Sequence, residues 1–176
     1  MQIFLSFAGI VIFLEIIFVI VAFWTFFTIF FTRVPFAPTP KKNFKQIFNE
    51  LDLRPGAEIY DLGCGDGSFL FEAERLGFRA SGFELSPYPY FLSLLKKFRL
   101  KSRVKISRKN FFKEDISRAD AVFVFLIASI MTKVGEKLKK DLKPGTPVIS
   151  YGFQIPGWST VEILDTKPSK TFIYRA

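Results

Sequence analysis

Residues 58–67 read Glu-Ile-Tyr-Asp-Leu-Gly-Cys-Gly-Asp-Gly, a short apolar segment followed by three glycines at alternate positions. Residues 58–62 have the length and apolar content of a short buried strand. The glycines that follow allow sharp backbone turns and a close approach to a ligand. Residues 68–76 then have helical periodicity and end at a glycine. A strand, a glycine-rich turn and a helix in this order are typical of the first unit of an open α/β sheet.

The rest of the chain after this unit alternates between short apolar strands and helices. We predict strands at 79–84, 103–106, 121–126 and 147–151, helices at 43–51, 87–98 and 129–142, and a closing strand pair at 161–164 and 171–174. Strands that alternate with helices indicate right-handed crossovers. The fold class is therefore α/β, a Rossmann-like, doubly wound and mostly parallel sheet. The domain is short for such a sheet, and we expect no helix after the strand at 147–151.

The first 32 residues differ in composition from the remainder. They contain no Lys, Arg or Asp and a single Glu, whereas all 25 basic residues lie in 33–176. The apolar run exceeds the roughly 20 residues that cross a bilayer as a helix. It has neither the basic start nor the small-residue cleavage site of a secretory signal peptide. We interpret it as a retained N-terminal transmembrane helix, followed by a linker at 33–42 and the α/β domain at 43–176.

The distribution of charge predicts where the α/β domain lies. Basic residues follow the apolar run at Arg33, Lys41, Lys42 and Lys45, and none precedes it. By the positive-inside rule, we expect a single-pass protein of the cell inner membrane with its domain in the cytoplasm. Residues 96–113 hold nine basic residues and no acid. Such a run suits either an anionic lipid surface or nucleic acid, and the neighbouring membrane span favours lipid.

The composition excludes several kinds of catalytic site. The 176 residues include no His and one Cys, so a Ser-His-Asp triad, an HExxH metal site and a multi-cysteine zinc site are absent. We expect no metal centre. Cys64 has no histidine to activate it, and we interpret it as a small residue of the turn.

Two classes of cofactor fit a glycine-rich turn after a first strand. A dinucleotide fingerprint has the spacing GxGxxG and places a pyrophosphate on the helix N-terminus. Here the spacing is GxGxG, and Asp61 and Asp66 flank it. Carboxylates repel pyrophosphate but suit a cation such as the sulfonium and amino groups of S-adenosyl-L-methionine. Glu84, at the end of the second strand, suits a ribose in either class and does not discriminate between them.

The run Asp61–Gly67 resembles motif I of the class I S-adenosylmethionine-dependent methyltransferases. Further similarities narrow the resemblance to one methyltransferase family, which includes the lysine N-methyltransferases of the ATP synthase c-subunit and of the adenine nucleotide translocase. The chain resembles the bacterial relatives in that family. These similarities are Pro-Phe-Ala-Pro-Thr-Pro at 35–40, Leu-Arg-Pro-Gly at 53–56, Gly-Phe-Glu-Leu-Ser-Pro at 82–87, Asn-Phe-Phe at 110–112, Leu-Lys-Pro-Gly-Thr-Pro at 142–147 and Pro-Gly-Trp at 156–158. The similarity covers residues 34–176.

This resemblance implies a set of cofactor-binding residues. The methionine part of the cofactor is assigned to Asp61, Gly63, Gly65, Asp66 and Gly67 of motif I. The ribose is assigned to Glu84, the adenine to Asn110 and Phe111, and closure of the site to Thr39. Asn110 stands where the family usually has Asp.

The acceptor side follows from the chemistry of methyl transfer. The leaving group is neutral, so the reaction depends on positioning more than on proton relay. A lysine acceptor must be neutral, and an apolar channel lowers its pKa. Phe125, Leu126 and Tyr151, at the ends of two predicted strands, are candidates for such a channel or for ordinary core packing. No general base is identified.

These observations predict a membrane-tethered methyltransferase that modifies protein lysine residues, with a membrane protein as one candidate substrate. Two alternatives stay open. The acceptor is instead a lipid or small-molecule amine, or the domain binds the cofactor without catalysis and acts as a membrane scaffold.

Overall fold

The computed structural model describes the backbone of residues 2–32 and 42–176, with the side chains of 7–27 and 42–176. The described helices are α1 (Gln2–Thr32), α2 (Lys42–Asn49), α3 (Ser68–Arg75), α4 (Pro87–Leu100) and α5 (Met131–Asp141). The strands are β1 (Glu58–Leu62), β2 (Arg79–Phe83), β3 (Lys105–Ser107), β4 (Ala121–Val124), β5 (Pro147–Tyr151), β6 (Glu162–Leu164) and β7 (Thr171–Arg175).

The seven strands form one sheet in the order β3-β2-β1-β4-β5-β7-β6. The pairs from β3 to β5 are parallel, and β7 is antiparallel to both of its neighbours. The predicted Rossmann-like sheet is confirmed, as is the closing strand pair. The direction of winding reverses between β1 and β4, and the carboxyl ends of these strands border the crevice where such sheets bind ligands.

The sheet has an apolar core on each face. Aromatic side chains of α2 and α3 pack on one face, where Phe69 stacks on Phe123 of β4 with ring centroids 3.9 Å apart. On the other face, Met131, Val134 and Leu138 of α5 are fully buried. Their spacing of three and four residues places them on one stripe of the helix. Both faces of the central strands are thus covered, as their continuous apolar sequences predict.

Several boundaries differ from the sequence prediction near the site. Strand β4 ends at Val124, two residues earlier than predicted, so that residues 125 and 126 lie beyond the sheet edge. The predicted helix at 129–142 begins with a 3₁₀ turn at Ala128–Ile130 before α5. Strand β3 lies at 105–107 instead of 103–106, because only these residues pair with β2. Between β5 and β6 the chain forms no helix, as expected for this short domain.

Helix α1 carries a stretch, Phe7–Phe27, that is long and apolar enough to cross a membrane, by length and composition. Its side chains are exposed except for Val21 and Thr25, which are half-buried. The helix contacts α4 of the α/β domain.

Candidate cofactor and acceptor site

The glycine-rich turn connects β1 to α3 in a backbone conformation that favours glycine. Gly63, Gly65 and Gly67 all have positive φ angles, of 85°, 54° and 74°. A side chain at position 63 would in addition place its Cβ 2.8 Å from the Leu126 side chain. The turn is fixed to the neighbouring strand, because the Gly63 N–H donates to the Phe83 carbonyl oxygen at 2.9 Å. Glycine is thus favoured at all three positions by the positive φ angles, and at position 63 also by the lack of room for a side chain.

Glu84 follows β2 and holds this turn in place. Its carboxylate accepts hydrogen bonds from the backbone N–H of Gly65 at 2.9 Å and of Ser86 at 2.7 Å, one on each oxygen. Burial raises the pKa of Glu84, and these hydrogen bonds partly offset that increase. Each oxygen keeps acceptor capacity, since an ionised carboxylate has about four lone-pair sites. The group is thus placed to accept hydrogen bonds from a ligand's hydroxyl groups.

Asp61, near the end of β1, is a buried carboxylate without a cationic partner among the described residues. It is 3% exposed, and no hydrogen bond from a described residue reaches its oxygens. Burial, and then the charges of Glu84 and Asp66, raise the pKa of Asp61 well above its ordinary value. A nearby cation would lower that pKa and favour the ionised form. The arrangement suits a positively charged ligand and disfavours a phosphate.

Asp66 lies in the same turn but faces the helices. Its carboxylate forms an ion pair with Lys96 of α4 and accepts the Ser68 N–H at 3.1 Å. Although burial opposes the change, the hydrogen bonds from Lys96 and Ser68 lower the pKa of Asp66. Lys96 belongs to the basic run whose sequence favours a lipid surface, and the structure instead turns its side chain toward the motif. The two partners are 30 positions apart in the chain, so the sequence gives no local signal of this pair.

The adenine-side candidates follow β3 in a short 3₁₀ turn. The Asn110 side-chain oxygen accepts the Phe112 N–H at 3.1 Å and caps this turn. Phe111 is 8% exposed and packs with the core on the α5 face. Both lie on the loop beyond the carboxyl end of β3, next along the sheet from Glu84 at the end of β2. Thr39 lies outside the described residues.

The acceptor-side candidates do not form one continuous surface. The rings of Phe125 and Tyr151 meet edge to face, with centroids 4.8 Å apart. Leu126 points to the other core and covers Gly63. Tyr151 is 1% exposed, and its hydroxyl oxygen accepts a hydrogen bond from Asn43 of α2 at 3.3 Å. Asn43, a buried polar residue that links α2 to the end of β5, is not among the site residues predicted from the sequence.

Cys64 has the structural role that the sequence indicates. It is 6% exposed and packs against position 82 of β2, where an added Cβ would lie 2.8 Å from its sulfur. Burial, followed by the charges of Asp61 and Glu84, raises the pKa of the Cys64 thiol well above its ordinary value. A thiol in this environment is a poor nucleophile.

The residues present fit S-adenosyl-L-methionine. The buried carboxylate of Asp61, which has no partner among the described residues, matches the positive charge of this cofactor and would repel a dinucleotide's pyrophosphate. Glu84, beside the turn, has free acceptor sites suited to ribose hydroxyls.

Comparisons with known proteins agree with this geometry. A model of the ANTKMT methyltransferase domain matches residues 61–162. A protein-lysine N-methyltransferase of the archaeon Saccharolobus islandicus is 35% identical over 75% of this chain and 84% of its own length. The mouse adenine nucleotide translocase lysine N-methyltransferase is 30% identical over 81% of this chain, which spans 63% of that protein. The crystal structure of an RNA methyltransferase from Salinibacter ruber with S-adenosyl-L-homocysteine has a TM-score of 0.75 and 28% identity, and covers 79% of this chain and 93% of its own.

The Salinibacter structure was solved with the demethylated product of the cofactor, in agreement with the chemistry of the Asp61 and Glu84 site. The matched residues 61–162 include the glycine-rich turn, Glu84, Asn110 and the end of β4. The chain therefore belongs to the ANTKMT methyltransferase domain family and is a methyltransferase that uses S-adenosyl-L-methionine.

Proposed function

We propose that this chain is a protein-lysine N-methyltransferase anchored in a membrane by α1. The observation that carries the proposal is the Asp61–Glu84 site in a chain whose archaeal and mouse relatives are named lysine N-methyltransferases. Cofactor binding involves Asp61, Gly63, Gly65 and Gly67 at the methionine part and Glu84 at the ribose. Asp66 contributes by holding the turn against α4 through Lys96.

The remaining contacts with the cofactor come from the loops around the crevice. Asn110 and Phe111 border the adenine, and Thr39 closes the site from the N-terminal side. The Asn110 oxygen is engaged with the backbone of its own turn, so its amide N–H groups are the ones free to meet a ligand. The cofactor supplies an electrophilic methyl group on its sulfonium, and the protein's task is to position the acceptor nitrogen.

The acceptor lysine must arrive without its proton. Phe125 and Tyr151 offer it an apolar surface at the ends of β4 and β5, and such surroundings lower the pKa of an amine. The chain contains no His, so proton release to solvent before binding replaces a histidine relay. The Asn-Pro-Pro-Tyr motif of methyltransferases that act on amides and bases is absent after β4, where Phe-Leu-Ile-Ala stands at 125–128.

The acceptor is tested by incubating membranes with the full chain and S-adenosyl-L-methionine that carries a radiolabelled methyl group. We expect label in a protein band that yields methylated lysine on hydrolysis. Glu84→Ala abolishes this label, and Glu136→Gln, an exposed carboxylate on α5, retains it. Label in a lipid or in RNA would assign a different acceptor. An absence of label in every fraction would favour the cofactor-binding scaffold.

The membrane anchor rests on the length, composition and exposure of α1. The basic residues after it, Arg33, Lys41, Lys42 and Lys45, orient the α/β domain toward the cytoplasm. A lysine at the centre of a span costs about 3 kcal/mol on insertion scales. We therefore expect the full chain to stay in membranes after an alkaline wash, and the pair Ile12→Lys and Ile16→Lys to release it.

A matched control for the anchor is Leu76→Lys, which adds one charge at an exposed apolar residue of the α/β domain. This variant should stay in the membrane. Orientation is read from protease treatment of intact bacterial spheroplasts, in which a cytoplasmic domain is protected until the cells are lysed. Digestion of the domain in intact spheroplasts would overturn the proposed orientation.

A further inference from the structure

Helix α4 carries an apolar face that the α/β domain leaves exposed. Large apolar side chains exposed within 42–176 number eleven, and six of them lie on α4. Phe91, Leu94, Leu95 and Phe98 have the i, i+3, i+4, i+7 spacing of a single helix face, and Tyr88 extends it by one turn. We call these five residues the α4 face. Phe98 is 81% exposed and Phe91 63%, with α1 in place.

The α4 face does not pack against the α/β domain, so burial in the domain core does not account for its apolar residues. The residues of α4 that are buried are Pro89 and Ser93, on the opposite side of the helix. A soluble helix normally buries its apolar stripe and exposes its polar one, and here the polarity is reversed. Clustered exposed aromatic and leucine side chains mark an interaction surface.

The charges around the α4 face indicate an anionic partner. Helix α4 carries Arg99 in its last turn, and Lys101 and Arg103 follow it. All three are exposed and have no ion pair to a described acid. No acid occurs between Glu84 and Glu114. Apolar residues flanked by basic ones are the composition of helices that lie in the interface of anionic membranes. Lys96 and Lys109 are excluded from this set, because they pair with Asp66 and Glu114.

The position of α4 beside α1 is the second observation that favours a lipid partner. Helix α1, which has the properties of a membrane span, contacts α4 directly. If α1 crosses the membrane, α4 is held at the point where the span meets the α/β domain. The same helix carries Lys96, which pairs with Asp66 of the cofactor turn.

We propose that the α4 face docks on the anionic surface of the membrane and lies in its interfacial layer. Tyr88, Phe91, Leu94, Leu95 and Phe98 enter the boundary between headgroups and acyl chains, and Arg99, Lys101 and Arg103 contact anionic headgroups. This docking goes beyond the proposed anchor, because a membrane span by itself does not determine which face of the α/β domain meets the bilayer. Docking fixes the orientation of the site relative to the bilayer.

The test uses the full chain reconstituted in vesicles that contain phosphatidylglycerol. Phe98→Cys and Phe91→Cys are labelled with bimane, whose emission is quenched by lipids that carry a shallow nitroxide. The native Cys64 is buried and labels poorly, so the unmodified chain measures the background. Lys139→Cys, exposed on α5 at the other face of the sheet, is the matched control. An interfacial helix places its apolar face about 5–10 Å into the headgroup boundary, so we expect quenching at 91 and 98 and none at 139.

A second variant tests the charge component. Arg99→Gln, Lys101→Gln and Arg103→Gln together should lower the docked-to-undocked ratio about fivefold for each residue, at roughly 1 kcal/mol per basic side chain. Quenching at position 98 should then be equally weak in anionic vesicles and in neutral phosphatidylcholine vesicles. If the chain that keeps Arg99, Lys101 and Arg103 is quenched equally at position 98 in anionic and in neutral vesicles, these residues do not contact anionic headgroups and this part of the proposal is overturned.

Failure of the anchor and failure of the docking are separable. Bimane at position 18, Phe18→Cys in the middle of α1, reports insertion through quenching by deep nitroxide lipids. Quenching at 18 without quenching at 98 overturns the docking and leaves the anchor intact. Quenching at 98 without quenching at 18 supports the docking and overturns the anchor. Disulfide cross-linking of Phe98→Cys between two chains, without lipid quenching, would assign the face to a second copy and overturn the proposal.

Discussion

Replacement of Glu84 by Gln lowers the affinity of the full chain for S-adenosyl-L-methionine by about 100-fold or more. An amide has one oxygen where the carboxylate has two, so either the Gly65 N–H or the Ser86 N–H loses its acceptor. A hydrogen bond to a charged group contributes about 1.5–3 kcal/mol. Since the amide replaces one carboxylate oxygen, a ribose hydroxyl also loses a charged acceptor. From a wild-type affinity in the micromolar range, about −8 kcal/mol, the variant reaches the limit of detection.

Isothermal titration of the detergent-solubilised chain measures this effect. Glu136→Gln, on α5, makes the same chemical change at an exposed site and should bind like the wild type. Because the ribose is common to both ligands, Glu84→Gln should weaken S-adenosyl-L-homocysteine by a similar factor. Unchanged affinity in Glu84→Gln would remove Glu84 from the site.

Asp61→Asn has two opposite effects, on binding and on stability. The side chain keeps its shape and loses its charge, so affinity for the cationic cofactor falls by about 10–100-fold, the equivalent of one charge-assisted interaction. S-adenosyl-L-homocysteine has no sulfonium charge and should lose less. The ratio of the affinity for S-adenosyl-L-methionine to the affinity for S-adenosyl-L-homocysteine should therefore fall in Asp61→Asn and stay nearly constant in Glu84→Gln. This difference separates recognition of charge at Asp61 from recognition of the ribose at Glu84.

The stability effect follows from the raised pKa of Asp61. Between the ordinary pKa and the raised one, the folded chain binds more protons than the unfolded chain, so ionisation destabilises the fold as pH rises through that window. Asn removes this cost, and we expect a higher melting temperature at neutral pH without cofactor. Each kcal/mol corresponds to about 2–4 °C for a chain of this size. A lower melting temperature together with unchanged binding would contradict the assigned role.

Cofactor binding to the wild type should depend on pH with a defined sign. A bound cation favours the ionised carboxylate, so binding releases protons from Asp61 and affinity rises as pH rises toward the raised pKa. In Asp61→Asn this rise should be shallower, because one of the groups that bind protons is gone.

The sequence alone determined the parts of the molecule that depend on local patterns. The strand and turn at 58–67 predict the first α/β unit, and the acids at 61 and 66 favour a cationic cofactor over a dinucleotide. The parallel sheet, the closing strand pair and the missing helix after β5 followed from alternation, spacing and chain length. Such features are readable because strand and helix periodicities and the conformational freedom of glycine act over a few residues.

Only the tertiary structure decided which side chains meet across long stretches of chain. It paired Lys96 with Asp66, separated Leu126 from Phe125 and Tyr151, and brought Asn43 to Tyr151 across 108 residues. It also turned the apolar stripe of α4 outward, where helical periodicity by itself predicts burial. The spacing of the apolar residues in a helix shows that they share a face, whereas the packing of the other elements determines what that face contacts.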